Sequence, residues 1–412
     1  MSDARIIVVG GGPAGSSTAY FLAKMGIDVL LLDKARFPRD KTCSEYLSPQ
    51  ASRILEHMGA LEIVERSGAA QLSGMRVHAP NGATIHGEFV GEHGFRGHRD
   101  RGLAVRRMVL DSILLERART AGVNVVEGAR VVDVARDTAG RVTGVVTSHE
   151  GKSSTLEAMM VVGADGLRSV VGRRLGLIRR AGWPKRIALV AHFSHVESVR
   201  DFGEMYVDRA GYCGLAPVGN GLTNVAVVVP VSKAAEVAVD RAEFLESWIA
   251  ERPEIARMFT RAKRIGPVRA TGPFATTAKR GWARGAALVG DAADFFDPFT
   301  GEGIYSALRG GEMLAGYLTE ATNARTDEAR DSSLKQYERA RRREFSGKWT
   351  VEKLIGAAVA FPALINRAAR VLSVRRDMAD LLVGVVGDFV PARQVLRPGY
   401  LLPLLLARPD RG

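Results

Sequence analysis

The chain has 412 residues, 46% hydrophobic and 25% charged, enough for a large buried core and more than one domain. Its formal net charge of +13 bears on solubility and partners rather than fold. The arginines are scattered without a helix-turn-helix or zinc-finger pattern, so nucleic acid is not an expected partner.

Ile6 to Val9 reads as a buried parallel strand, because β-branched residues tolerate burial on both faces of a sheet. No basic segment or cleavage site accompanies it, so no signal peptide is expected. The glycines that follow point to phosphate. Gly10 permits a tight turn, Gly12 leaves room for a pyrophosphate, and Gly15 lets the next helix pack closely on the strand. That helix aims free N–H groups and its positive dipole end at the pyrophosphate. Val29 to Leu32 forms the second strand, and Asp33 at its end suits a ribose hydroxyl. This stretch specifies a dinucleotide without distinguishing FAD from NAD.

Ala104 to Ala121 has helical periodicity, and Val123 to Val126 and Ala129 to Val134 return as strands. Met159 to Gly163 is another buried strand, closing on GADG. From about Trp183 to Arg264 alternating segments such as IALVAHFSHV predict an antiparallel sheet in a separate substrate-facing domain. Gly285 to Leu318 again reads strand, glycine-rich loop and long helix. Helix N–H groups left free at Gly301, Gly303 and Ile304 would stabilise negative charge on a bound cofactor.

The remainder is helical and basic, and no apolar run reaches the roughly 18 residues of a membrane span. Residues 366–412 hold eight arginines and four aspartates among apolar runs. That composition predicts a helical cap over the substrate domain, with peripheral contact to an anionic membrane compatible with it. Only two cysteines, Cys43 and Cys213, occur, which excludes a disulfide scaffold and fits a reducing cytoplasm. No HExxH, CxxC pair or Gly-x-Ser-x-Gly elbow occurs, so neither a metal centre nor a hydrolase is expected.

Three separated motifs, GGGPAG with Asp33, GADGLRS at Gly163 to Ser169, and VGDAADFFDPFTGEGI, together resemble those of a flavoprotein superfamily. It groups aromatic-ring hydroxylases with geranylgeranyl reductases, on a fold like that of the hydroxybenzoate hydroxylases. The resemblance covers roughly residues 1–320 and implies FAD as cofactor. It implies an α/β architecture: a Rossmann-like FAD-binding domain, an inserted antiparallel-sheet substrate domain and a C-terminal helical region. The expected segments are 1–75, 103–180 and 266–325 for the FAD-binding domain, 76–102 and 181–265 for the substrate domain, and 326–412 for the cap.

The resemblance further implies FAD contacts at Gly10, Gly12, Pro13, Ala14, Gly15, Asp33, Lys34, Val131, Gly301, Gly303 and Ile304. It places Asp165 near the pyrophosphate, Asp291 on the ribityl hydroxyls and Arg107, of RMVLD, toward the phosphates or adenosine. FPRDKTCSEYLSP resembles the reductases' loop beside the flavin ring, which puts Cys43 near the flavin. Ser44, Glu45 and Tyr46 replace that loop's glycines. GYCGLAPVGNGLTNVAVV resembles the reductases' pocket stretch, with Gly214 and Ala216 where bulky side chains are usual, so a roomier floor is expected. The Trp-x-Trp-x-Ile-Pro signature of flavin halogenases is missing.

The leading expectation is a reductase of the geranylgeranyl type acting on a large apolar substrate. The alternative is a monooxygenase that uses oxygen to hydroxylate an aromatic or polyketide ring, and a non-enzymatic flavin-binding protein is a third. With no second dinucleotide fingerprint, NAD(P)H would dock only transiently as electron donor. No acid or base stands out; Cys43, Glu45, Tyr46 and Tyr212 are the candidates.

Overall fold

The structure, a computed structural model, describes residues 4–91, 93–180 and 185–406. Trp183 and the final residues 407–412 lie outside them. Ala4–Val9 is the centre of an eight-stranded sheet, with Val29–Asp33 and then Asn124–Glu127 on one side, and Lys152–Gly163 and then Ala286–Leu288 on the other. All of these pairings are parallel. Ile6, Ile7 and Val8 are fully buried, as expected for a strand covered on both faces. Lys152–Gly163 extends beyond the parallel core and pairs there with Val142–His149, which pairs in turn with Arg130–Arg136.

Two helices lie side by side over this sheet. Pro13–Lys24 packs on Gly303–Asn323 at a close crossing, where a Cβ on Gly311 would stand 2.8 Å from the Thr18 nitrogen. Ser17 Oγ donates to the Leu308 carbonyl at 2.8 Å in the same contact. The N-termini of both helices therefore point to the same end of the sheet as its parallel strands' C-terminal ends, where α/β folds place ligands.

A second sheet of seven strands runs in the order Lys263–Thr271, Arg186–Ser194, Leu222–Pro230, Gly211–Gly219, Phe202–Asp208, Gly74–His78, Thr84–Glu88. It is antiparallel except where Phe202–Asp208 meets Gly74–His78. Its last strand continues past residue 265, where a domain boundary was expected, because Ala188 to Val190 of the neighbouring strand pair with Thr271 to Arg269. Period-two alternation divides its faces: Leu189, Val225 and Val227 pack under the Arg241–Ala250 helix, while Ala188, Ala226 and Val228 face a cleft.

From Asp327 to Leu406 the chain is mostly helical. Val351, Val359, Ile365, Ala369 and Leu381 form one core with Ala188, Tyr212 and Val228 of the second sheet, so these helices cap the cleft. Gly87 is required at the cap's edge, since a Cβ there would meet Val383 Cγ2 at 2.4 Å. No single helix among the described residues is long and apolar enough to cross a membrane.

Candidate active site

One cleft is lined by both sheets and the cap, with about 1820 Å³ of space including its mouth. Its first half is the dinucleotide cradle. Gly10 has φ +104, and a Cβ on Gly15 would stand 1.7 Å from the Gly10 carbonyl oxygen. A Cβ on Gly12, by contrast, would meet only Arg39 and Arg107, at 3.6 and 3.8 Å from their guanidinium nitrogens. Space bounded by two guanidiniums and a helix N-terminus suits a pyrophosphate. The helix starting at Pro13 has neither a side-chain cap nor an acidic residue in its first turn, so its N–H groups stay available.

Asp33 braces this cradle. Its Oδ2 accepts from the Gly11 N–H at 2.7 Å and its Oδ1 from the Ala35 N–H at 2.8 Å, leaving further lone pairs for a ribose hydroxyl. Arg107 is buried, with Nε and Nη2 on Asp111 and its own N–H on Glu45 Oε1. Its neighbour Arg106 turns instead to Asp40 at 3.0 Å, which separates two adjacent arginines by role. Lys34 is exposed, and Val131 is buried in the Arg130–Arg136 strand; neither lines the cleft.

Asp291 and the Gly301 turn close the cradle. Asp291 is partly exposed, 3.6 Å from Lys41 Nζ, and Gly303 opens the long helix beside it with no side-chain cap. Gly301 has φ +70, with Tyr46 Cδ1 at 3.0 Å and Ser44 Oγ at 3.5 Å from where its Cβ would be. The loop from Cys43 to Tyr46 therefore packs against the GEGI turn. Glu45 itself takes the left-handed conformation, φ +63. Ala164 and Gly166 line the cleft, while Asp165 between them accepts from the Val170 and Val171 N–H groups and keeps Oδ1 buried without a partner. Burial raises its pKa.

An FAD fits these residues: an uncapped helix end beside two guanidiniums, a second uncapped helix end beside Asp291, and an orphaned carboxylate oxygen on Asp165. Arg39, Arg107 and the Gly10–Gly15 loop would hold the pyrophosphate, and Asp33 and Asp291 the two sugar-derived ends. FAD supplies two-electron transfer there when bound.

The four candidate acids and bases separate. Glu45 is 1% exposed, and its carboxylate takes the Arg107 N–H at 2.8 Å, Asn224 Nδ2 at 2.9 Å and His192 Nε2 at 2.7 Å. Fully engaged by three donors, it is a clamp and not a proton carrier. Tyr212 donates to Asp297 Oδ1 at 2.6 Å, and burial beside that carboxylate pushes its pKa well up, so it too is structural. Cys43 lines the cleft beside Arg107, and its Sγ accepts from the Glu45 N–H at 3.3 Å. Tyr46 lines the cleft with its hydroxyl buried and unpartnered.

Two residues outside those candidates carry more chemistry. Glu302, inside GEGI, and Glu352, on the long Asp327–Ala360 helix, both line the cleft around Lys348. Burial lifts Glu352 to about 7 and Glu302 well above the carboxylate range. The one signal in the sequence is the four-residue spacing of Lys348 and Glu352, which puts both on one helix face.

The substrate half of the cleft is apolar and small-sided. Ala188, Gly214, Ala216 and Ala226 form its floor, and Phe274, Phe295 and Phe299 its side. Tyr212 meets Phe299 edge-on.

This cradle with its adjoining apolar chamber defines an FAD-dependent oxidoreductase. Residues 3–353 match the FAD binding domain family. Digeranylgeranylglycerophospholipid reductase 1 of Methanococcoides burtonii is 31% identical over 83% of this chain and 80% of its own length. Menaquinone reductase of Mycolicibacterium smegmatis is 27% identical over 94% of this chain and 92% of its own. Among solved structures, the myxobacterial chondrochloren halogenase CndH superposes with a TM-score of 0.81 at 24% identity, covering 100% of this chain and 99% of that one. The chain belongs to the FAD-dependent flavoprotein superfamily of geranylgeranyl reductases and aromatic-ring hydroxylases.

Proposed function

We propose that the protein passes reducing equivalents through FAD to a carbon–carbon double bond of a large apolar, isoprenoid- or polyketide-like substrate. The observation that carries this reading is the chamber floored by Ala188, Gly214, Ala216 and Ala226, a wide apolar surface beside the cofactor cradle. Two relatives named as reductases, of digeranylgeranylglycerophospholipid and of menaquinone, support it. NAD(P)H is the proposed transient electron donor, in keeping with the single dinucleotide fingerprint. The test is anaerobic reduction of the holoprotein with NADPH or dithionite, followed by mixing with a polyprenyl substrate. The expected result is flavin reoxidation with a product carrying two more hydrogens. Reoxidation only on admission of oxygen, with a product carrying one more oxygen atom, assigns the chain to monooxygenation instead.

Delivery of such a substrate is the reading we attach to the cap. Phe361, Leu364, Leu402, Leu405 and Leu406 are exposed on the packed Pro362–Leu372 and Pro398–Leu406 helices and the turn before them, in a segment rich in arginine. Apolar side chains among cationic ones suit the surface of an anionic bilayer. The protein is thus proposed to work at the inner, cytoplasmic face of a membrane without crossing it.

A further inference from the structure

Lys348 is buried beside the cleft next to the GEGI turn, and the carboxyls around it outnumber it. Its Nζ is 3.1 Å from Glu302 Oε2 and pairs with Asp388. Glu352, one helical turn on from Lys348, lines the cleft beside Glu302. A fourth carboxylate, Asp297, is neutralised separately by Arg186 at 2.6 Å and by the Tyr212 hydroxyl. From the other elements packed here, Tyr46 and Tyr305 contribute neutral hydroxyls, and the Tyr305 ring lies 4.7 Å from Nζ. Three carboxyls therefore share one ammonium.

The charge imbalance points to a proton held in the cluster. Glu302 Oε2 and Asp388 Oδ2 are buried, and three ionised carboxyls around one ammonium would leave buried negative charge uncompensated. Side-chain exposure is 1% for both Glu302 and Asp388, whereas Glu352 is half-buried and opens on the cleft beside Trp349 and Phe296.

We propose that Glu352 is the proton donor for the reductive chemistry of this cleft, with Lys348, Glu302 and Asp388 as its positioning residues. The proposal rests on the reductase reading. Saturating a carbon–carbon double bond adds one hydride and one proton, and bound, reduced FAD supplies the hydride. The carbon that does not receive the hydride takes the proton from the Glu352 carboxyl. The π bond is consumed, two C–H bonds form, two electrons pass from cofactor to substrate, and Glu352 is left as a carboxylate. Water at the cleft mouth returns its proton. An acid poised at about 7 is matched to that duty near neutral pH, being protonated often enough to donate and acidic enough to release.

The experiment compares FAD holoenzymes of wild type, Glu352→Gln, Glu352→Asp and Lys348→Gln. Infrared spectra without substrate are expected to show a protonated-carboxyl band that titrates near neutrality and is lost in Glu352→Gln. With a polyprenyl substrate, that variant is expected to lose roughly 10²–10⁴-fold in kcat, while KM, FAD content and flavin reduction by dithionite stay unchanged. Glu352→Asp keeps an acid and recovers part of the rate. Lys348→Gln shifts both the infrared midpoint and the falling limb of the rate profile to higher pH, because removing the ammonium favours the protonated carboxyl. Absence of the band, or wild-type turnover and pH profile in Glu352→Gln, overturns the proposal. If wild type saturates no polyprenyl substrate, the reductase reading falls and the proton role with it; an active wild type beside an unaffected Glu352→Gln removes the proton role alone.

Discussion

Asp111 lies one helical turn beyond Arg107 and takes both edges of its guanidinium, Nε and Nη2, at 2.8 Å each. The same carboxylate also takes Arg39 Nη1 at 2.9 Å, so one buried acid presents both arginines of the cradle. Removing it leaves a buried cation without its partner, which costs about 3–5 kcal/mol. Asp111→Ala is therefore expected to lower the urea midpoint by that equivalent and to weaken FAD binding in parallel. A stability change below about 1 kcal/mol would show that Arg107 finds another partner.

Asp291 is expected to matter for the cofactor and little for the fold, because it is partly exposed and its partner Lys41 is 3.6 Å away and itself accessible. A charge-assisted hydrogen bond to a ribityl hydroxyl contributes about 1.5–3 kcal/mol. Asp291→Ala should therefore weaken FAD about ten- to hundredfold when apoprotein is titrated by flavin fluorescence. An unchanged Kd would remove Asp291 from the cofactor contacts.

The chamber floor can be raised without touching the cradle. Ala216 pairs with Asn224 across the sheet and lines the cleft well away in sequence from the glycine loop. Ala216→Trp is expected to leave FAD affinity intact and to raise KM for long polyprenyl substrates at least about tenfold, sparing short ones. Equal losses for short and long chains would place the substrate elsewhere.

Sedimentation with vesicles tests the exposed apolar side chains of the cap. Wild type should pellet with anionic vesicles at low salt and be released as salt screens the charges. Phe361→Ser with Leu405→Ser should stay in the supernatant with its fold and FAD content unchanged, since both side chains are about half exposed, 53% each. Wild type in the supernatant at low salt leaves the helices as a cap only.

The parts of this fold that were legible in the sequence are those written locally. The Ile6–Val9 strand, the glycine turn and the Val29 strand follow from adjacent residues with steric demands of their own, and the structure places them within a residue or two. Pairing between distant segments leaves no such mark. Nothing in Gly74–His78 announces that it will lie parallel to Phe202–Asp208, more than a hundred residues on. The carboxyl cluster was hidden for the same reason, since Glu302, Lys348 with Glu352, and Asp388 come from three segments that only the cap's folding brings together. The conformation of Glu45 was not legible either. A glutamate at that step carries no sign of a left-handed backbone, whose strain, of order 1–3 kcal/mol, is offset by three hydrogen bonds to its carboxylate.

That carboxylate has a mechanical consequence. One oxygen is anchored to the first N–H of the Arg107–Thr120 helix, on the cofactor side, and the other to Asn224 and His192, on neighbouring strands of the second sheet. The span between the two halves of the enzyme is thus gauged by the length of a single glutamate side chain. Aspartate would keep the charge and all three donors yet fall one methylene short, so the halves would have to tilt to meet it. Alignment of an electron donor with its acceptor tolerates far less play than binding does, and the protein would then fill with both molecules while passing electrons poorly between them.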